Sequence, residues 1–222
     1  MLHTCIDHLV VTAPSLMDGA EYVRQALGAR LEAGGEHPRM GTHNCLLKLG
    51  DSLFLEVIAV NPEAPPPDRP RWFQLDAAGQ NVQPRLATWV ARTNNIHAAV
   101  AASPLAHGDI QPMTRGQLHW LITIPTDGGL PLQGAAPTLI EWQAHPHPAS
   151  KLPDRGCSLL GLEANLELAA AEQLSSMLAL TGFQGAFSVN AVSAGLPCGL
   201  VAHIQTPTGL SRLGLPAGVI AV

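Results

Sequence analysis

Apolar and polar positions along the first sixty residues predict a strand, a helix and three further strands. Residues 5–13, CIDHLVVTA, form a β-rich apolar run. Residues 16–27, LMDGAEYVRQAL, repeat apolar side chains at helical spacing and stop at Gly28. After a glycine-rich stretch that we assign to a strand with a loop, residues 45–50 and 51–60 meet at a Gly-Asp turn and predict a hairpin. The predicted order of elements is therefore βαβββ.

The same order recurs after the proline-rich stretch NPEAPPPDRP, which cannot continue a central strand or a helix. We predict a strand for RLATWVART, a helix for NNIHAAVAA, and a loop or strand for GDIQPMTR. Two further strands are predicted for LHWLITIPT and PTLIEWQAH. After a second linker, HPHPASKLPDRG, an abbreviated βαββ copy is predicted from CSLLGLEANL, ELAAAEQLSSMLALTG, AFSVNAVSA and GLVAHIQTPTG. We divide the chain into a first unit at 1–61, a connector at 62–84, a second unit at 85–146 and a partial third unit at 157–214. Element order alone leaves a wound βαβ sheet as the main alternative.

The composition and the first residues bear on where in the cell the protein is expected. The 222 residues are 46% hydrophobic and 13% charged, and the mean hydropathy is +0.16, yet no apolar run reaches membrane-spanning length. The first residues lack the basic start and apolar segment of a secretory signal. We therefore expect a cytoplasmic protein without a membrane partner.

Charge and cysteine content exclude two further classes. The formal net charge is −5, and the 12 basic residues are scattered singly, which offers no cationic surface for nucleic acid. The four cysteines are isolated, with no CxxC pair. A disulfide framework or a thiolate zinc site is not expected.

Three polar residues interrupt strands that are otherwise apolar. They are His8 in CIDHLVVTA, Glu56 in SLFLEVIA and Glu141 in PTLIEWQAH. Alternation places Ile6, His8 and Val10 on one face of the first strand. A carboxylate in such surroundings is costly unless it is paired, protonated, hydrated or bound to a metal. We therefore expect the three interruptions to converge on one cavity.

These residues support a resemblance to a known superfamily. IDHLVV opening a βαβββ unit, the glutamate in LFLEVIA and the closing TLIEW are similar to the vicinal oxygen chelate superfamily, which includes glyoxalase I and bleomycin-binding proteins. GTHN at 41–44, followed by a strand, a Gly-Asp turn and LEVIAVNPE, resembles the glyoxalase-like domain proteins, which carry a further partial module. The resemblance implies an α+β fold in which paired βαβββ modules form a curved mixed sheet of the glyoxalase/bleomycin resistance type, with a partial third βαββ module.

The resemblance also implies a divalent metal ion, with zinc, manganese, iron, nickel and magnesium all compatible. Residue by residue, His8 matches the ligand on the first strand, while Glu56 and Glu141 match the ligands on the fourth strands of the two units. The alternative is a metal-free hydrogen-bond network of the same three residues, or carboxylates whose pKa values are raised in a dry pocket.

One ligand position of the second unit departs from the superfamily pattern. It falls at about Thr88 or Trp89, and neither is an ordinary metal ligand. His43 or His119 is the alternative nitrogen donor, and with one of them the set would suit a dioxygenase.

Residues at the expected cavity rim are candidates for substrate binding. His43 and Asn44 either contact substrate or satisfy local backbone groups. Arg115 is either a solvated charge or a clamp for a carboxylate or phosphate. His145 and His147 are interpreted as linker residues, because alternating prolines hold their segment extended.

The resemblance implies a glyoxalase-like, metal-dependent lyase or isomerase acting on a small substrate with vicinal oxygens. The metal would polarise a carbonyl, and Glu56 or Glu141 would act as general base. The alternative is a metal-free protein of the same fold that binds or sequesters a small molecule, as resistance proteins do. A third option is that the C-terminal unit fills the cleft or forms a homodimer interface.

Overall fold

The structure is a computed structural model that describes residues 1–77, 82–143 and 145–215. Its helices are α1 (Leu16–Leu27), α2 (Ile96–Ala102) and α3 (Leu168–Leu180). Its strands are β1 (Thr4–Thr12), β2 (Glu32–His37), β3 (Thr42–Gly50), β4 (Leu53–Val60), β5 (Arg85–Thr93), β6 (Asp109–Arg115), β7 (Leu118–Ile124), β8 (Thr138–Trp142), β9 (Ser158–Glu167), β10 (Phe187–Val192), β11 (Gly199–Thr206) and β12 (Gly209–Gly214). Within these ranges, no helix is both long and apolar enough to cross a membrane.

The first eight strands form one mixed sheet in the order β2-β3-β4-β1-β5-β8-β7-β6. Within each unit the first strand runs parallel to the fourth, since β1 pairs with β4 and β5 pairs with β8. The two units join through the antiparallel pair β1–β5. The predicted α+β fold of paired βαβββ modules is confirmed, and the wound βαβ sheet is not observed.

Local signals in the sequence set the ends of α1 and α2. The Ser15 side chain accepts a hydrogen bond from the Asp18 backbone N–H, and α1 ends at Gly28 with φ of 67°. Asn95 caps α2 by accepting from the Ala98 N–H. These caps satisfy backbone groups that the helices leave without partners.

The eight-stranded sheet has two differently packed faces. The outer face carries a large apolar cluster that includes Leu9, Val57, Trp89 and Leu139 and continues into the helices and the C-terminal unit. The inner face carries a second cluster, rich in aromatic residues, whose members include Val10, Ile58, Trp72, Trp120 and Ile140. Because apolar side chains cover both faces, the central strands read as continuous hydrophobic runs.

The C-terminal unit forms a separate four-stranded sheet in the order β10-β9-β11-β12. It has one strand more than the predicted βαββ unit. Its first strand, β9, lies between β10 and β11, whereas the first strand of each βαβββ unit lies beside the fourth. It packs on the outer face, where the Phe187 ring lies 4.8 Å from that of Trp89. This packing disagrees with the option that the unit fills the cleft, and the option of a homodimer interface stays a prediction.

Candidate active site

A β-bulge in β1 shapes the site. Between Ile6 and His8 the pairing with β5 shifts by one residue, so that Asp7 is the extra residue. Ile6 then belongs to the outer cluster, while His8 lines the inner cavity and Val10 belongs to the inner cluster. The prediction that all three share one face is wrong for Ile6, because a bulge breaks the two-residue alternation.

The Asp7 carboxylate is completely buried and has several hydrogen-bonding neighbours. Its Oδ1 lies 2.6 Å from His8 Nδ1. Its Oδ2 accepts from Trp142 Nε1 at 2.9 Å and lies 3.0 Å from His147 Nε2. The Arg92 guanidinium lies 3.5 Å from the same oxygen. A buried carboxylate with this many partners is positioned rigidly.

These partners assign the protonation of Asp7 and His8. Burial alone would raise the pKa of Asp7, but hydrogen bonds with His147 and His8 outweigh it and hold that pKa well below its usual range. An ionised carboxylate only accepts hydrogen bonds, so His8 Nδ1 carries a proton. His147 Nδ1 accepts from the Ala149 N–H, so His147 donates to Asp7 through Nε2. The other nitrogen of His8, Nε2, is directed toward the cavity.

Glu56 lies beside this nitrogen. Its Oε2 is 3.6 Å from His8 Nε2, and its Oε1 accepts from Asn44 Nδ2 at 2.5 Å. Asn44 is itself oriented, because its Oδ1 accepts from the Gly35 N–H at 2.8 Å. The Phe54 ring stacks on the His8 imidazole with centroids 4.5 Å apart. His8 and Glu56 are thus held by packing against Phe54 on one side and by the Asn44 amide on the other.

A second histidine joins the network from β2. His37 Nδ1 lies 3.2 Å from Thr42 Oγ1, and its Nε2 lies 3.2 Å from Arg115 Nη1. A guanidinium only donates, so His37 Nε2 is an acceptor and Nδ1 carries the proton. Burial lowers the pKa of His37 to about 4. His37 is therefore neutral near neutral pH and holds Arg115 in place.

These residues surround a small cavity of about 40 Å³, far below the volume of sites for drug-sized ligands. Five aromatic side chains lie in its wall: Phe54, Trp72, Phe73, Trp120 and Trp142. Its polar lining residues are His8, His37, Asn44, Glu56 and Arg115. The site thus combines apolar walls with a few polar groups.

Glu141 does not reach this cavity, contrary to the expectation from sequence. Its Oε2 accepts from the backbone N–H of Ile96 at 2.7 Å, at the start of α2. In β8 it is Ile140 and Trp142 that line the cavity, and alternation directs the residue between them to the other face. Among the residues that the structure describes, no group of three His, Cys, Asp or Glu side chains is placed to hold a metal ion.

The other candidate metal ligands of the second unit also lie outside the cavity lining. Thr88 is buried and its hydroxyl donates to the Trp89 carbonyl at 3.4 Å, while Trp89 belongs to the outer cluster. His119 is exposed. In the first unit, His43 is absent from the lining, whereas its neighbour Asn44 is part of it.

Sequence reasoning missed Asp7, His37 and His147. Asp7 directly precedes His8, but alternation assigned it to the other face of the strand. The proline pattern places His147 in a linker, yet its side chain contacts Asp7, 140 positions earlier in the chain. The local pattern around His37 carries no signal of its contact with Arg115, which lies 78 positions away.

The two βαβββ units and their shared cavity define a protein of the vicinal oxygen chelate type. The family model of the glyoxalase-like domain matches residues 6–178. This chain belongs to that family. No curated protein matches it.

Solved structures with a similar course of the chain include a hypothetical protein from Staphylococcus aureus. That match has a TM-score of 0.53 at 12% identity and covers 95% of this chain and 85% of that one, a likeness of fold. A methylmalonyl-CoA epimerase from Mycobacterium tuberculosis matches with a TM-score of 0.41 at 17% identity, over 64% of this chain and 88% of that one. A methylmalonyl-CoA epimerase from Streptomyces coelicolor in complex with 2-nitronate-propionyl-CoA matches with a TM-score of 0.43 at 15% identity, over 64% and 97%.

Proposed function

We propose that this protein is a glyoxalase-like enzyme of the isomerase or lyase class that moves a proton on a small substrate with vicinal oxygens. His8 is the acid–base group, Asp7 orients it, and Glu56 is its partner in the cavity. The observation that supports this most is the contact of 2.6 Å between His8 Nδ1 and the fully buried Asp7 carboxylate.

The protonation of His8 suits a general base. In the neutral imidazole with its proton on Nδ1, the Nε2 atom has a lone pair directed to the cavity and can take a proton from carbon or oxygen. The C–H bond breaks, an N–H bond forms at Nε2, and the electron pair passes to the adjacent carbonyl oxygen as an enolate. Glu56, 3.6 Å from Nε2, stabilises the imidazolium that results.

The fold type implies a divalent metal, and the described residues do not fit one. His8 Nε2 and Glu56 Oε2 lie close enough to share an ion, but protein metal sites take three or four ligands. The second unit supplies Ile140 and Trp142 to the cavity, while Glu141 binds the backbone of α2. We therefore assign no step to a metal.

Deuterium exchange followed by NMR tests this proposal. Hydroxyacetone, pyruvate and acetoacetate are incubated with the protein in deuterium oxide, and exchange of the protons beside each carbonyl is measured. We expect exchange with the wild type and a loss of about 10²- to 10⁴-fold in His8→Ala. His119→Ala, in which an exposed histidine is changed, is the matched control and should exchange normally.

Two results would contradict the proposal. One is equal exchange in His8→Ala and the wild type. The other is a stoichiometric divalent ion in the purified wild type that is lost from His8→Ala, because this would make His8 a metal ligand.

The aromatic wall supports a second candidate function, binding of a small molecule without catalysis. Planar side chains such as Trp72, Trp120 and Trp142 form apolar surfaces for a flat ligand. A binding protein would show saturable quenching of tryptophan fluorescence without any exchange. Its affinity would survive His8→Ala.

A further inference from the structure

Arg115 spans the gap between the two edges of the eight-stranded sheet. It lies on β6, one edge strand, and its Nη1 reaches His37 on β2, the other edge strand, at 3.2 Å, and Asn44 on β3 at 3.4 Å. Gly35 on β2 makes room for it, because a Cβ at this position would lie 2.9 Å from Arg115 Cδ. The guanidinium therefore enters the cavity past a position where any larger residue would force its side chain to shift.

The side chains that accept hydrogen bonds from Arg115 are neutral. Within the described ranges, both of its hydrogen-bond partners, His37 and Asn44, are uncharged acceptors, and burial keeps His37 neutral by lowering its pKa to about 4. By contrast, Arg71 pairs with Asp76 at 2.6 Å. A partly buried cation without a carboxylate partner is costly and favours an anionic ligand.

The acid–base pair lies on the other side of Asn44. This residue donates to Glu56 through Nδ2 and accepts from Arg115 through Oδ1. One amide thus separates a cation from a carboxylate. An anionic group would be repelled beside Glu56 and attracted beside Arg115, so the cavity orients a ligand that has an anion at one end only.

We propose that the substrate is a small oxo or hydroxy acid whose carboxylate binds Arg115 and whose acidic C–H group lies at His8. This rests on the proposed function. Arg115 binds the carboxylate through its N–H groups, and its charge stabilises the enolate that forms when His8 takes the proton. The small size of the cavity favours a ligand with a short chain.

Paired ligands of nearly equal shape test the need for an anion. Pyruvate is compared with methyl pyruvate, and acetoacetate with methyl acetoacetate, by quenching of the tryptophans that line the cavity. In the wild type each acid should bind roughly tenfold or more tightly than its ester, because a charged hydrogen-bond pair is lost in the ester. Arg115→Met should abolish this preference, and Arg115→Lys should retain part of it.

Arg39→Met is the matched control. Arg39 lies near the same edges but bonds the Pro112 carbonyl and the Gln111 side chain and does not line the cavity. The variant should keep the preference for acids. The proposal is overturned if acids and esters bind the wild type equally, if Arg115→Met keeps the preference, or if no acid binds saturably at millimolar concentration.

Failure of this proposal and failure of the proposed function give different results. If His8→Ala and the wild type both prefer acids and neither exchanges deuterium, the carboxylate site stands and the proton-transfer function falls. If exchange depends on His8 while Arg115→Met leaves the exchange of acids unchanged, the function stands and the carboxylate site falls.

Discussion

The glutamates in the fourth strands of the two units face opposite sides of the sheet. Glu56 in β4 is buried in the cavity, with its carboxylate 3.6 Å from His8 Nε2. Glu141 in β8 is turned to the other face and accepts the Ile96 N–H at the start of α2. The two units therefore share a fold but place their glutamates differently. Neighbouring positions along a strand face opposite sides of the sheet, so a shift of one position moves a side chain from the cavity to the face that packs on the helices.

The same division holds for the walls of the cavity. The first unit supplies the polar residues His8, His37, Asn44 and Glu56. The second unit supplies an apolar wall, whose members are Trp120, Ile122, Ile140 and Trp142, and a single charged residue, Arg115. In our proposal, the first unit carries the acid–base groups, and the second shapes the cavity and holds the substrate's carboxylate.

The largest expected effect is that of Asp7→Asn in the first unit. The amide cannot hold His8 as the ionised carboxylate does, and a wrong tautomer removes the lone pair at Nε2. We expect kcat for deuterium exchange to fall about 10²- to 10⁴-fold with little change in KM. Asp51→Asn is the control, because that carboxylate is exposed and forms a surface ion pair with Lys48. Equal kcat in the two variants would argue against an orienting role for Asp7.

A smaller effect concerns the pH dependence of stability through His37. Its pKa is about 4 in the folded chain and about 6.5 in an unfolded one. The contribution of neutral His37 to stability is complete above pH 6.5, the pKa in the unfolded chain, and is lost as the pH falls toward about 4, the pKa in the folded chain. Between these two values only the unfolded chain takes up the proton. The full loss is about 3 kcal/mol in the free energy of unfolding.

Urea unfolding of the wild type and His37→Gln at neutral pH and at about pH 5 measures this effect. We expect the wild type to lose roughly 2 kcal/mol more than the variant over this interval. Parallel losses in the two proteins would mean that His37 is not buried in its neutral form.

The smallest effect is expected in the second unit, from Glu141→Ala. The variant removes an acceptor for the first N–H of α2, which should cost about 1 kcal/mol in the free energy of unfolding. Exchange activity should stay at the wild-type level, whereas Glu56→Gln should lower it. A Glu141→Ala protein that is stable but inactive would contradict the placement of Glu141 outside the site.

The alternation of β8 illustrates the limit of the sequence pattern. It correctly separates Glu141 from Ile140 and Trp142, but it does not say which set faces the cavity. Both faces of this strand are buried in apolar clusters, since Leu139 lies in one and Ile140 in the other. A strand that is covered on both sides carries no polar stripe to mark its outer face.

The resemblance carried by IDHLVV and LFLEVIA predicts that His8 and Glu56 lie close together. In the structure they lie on neighbouring strands, with His8 Nε2 3.6 Å from Glu56 Oε2. The orientation of Asp7 was not predictable, because the bulge arises from the pairing of β1 with β5, some 85 positions later in the chain.

The sequence by itself determined most of the elements, apart from β12, and the ends of α1 and α2. The helix ends depend on local contacts, since Ser15, Gly28 and Asn95 act on backbone groups a few positions away. The apolar runs form strands wherever they can be buried in a core. Tertiary structure alone decided which faces those strands present and which polar side chains meet. Asp7 with His147 and His37 with Arg115 are contacts between distant segments, and such contacts depend on strand register and sheet order, which no local pattern encodes.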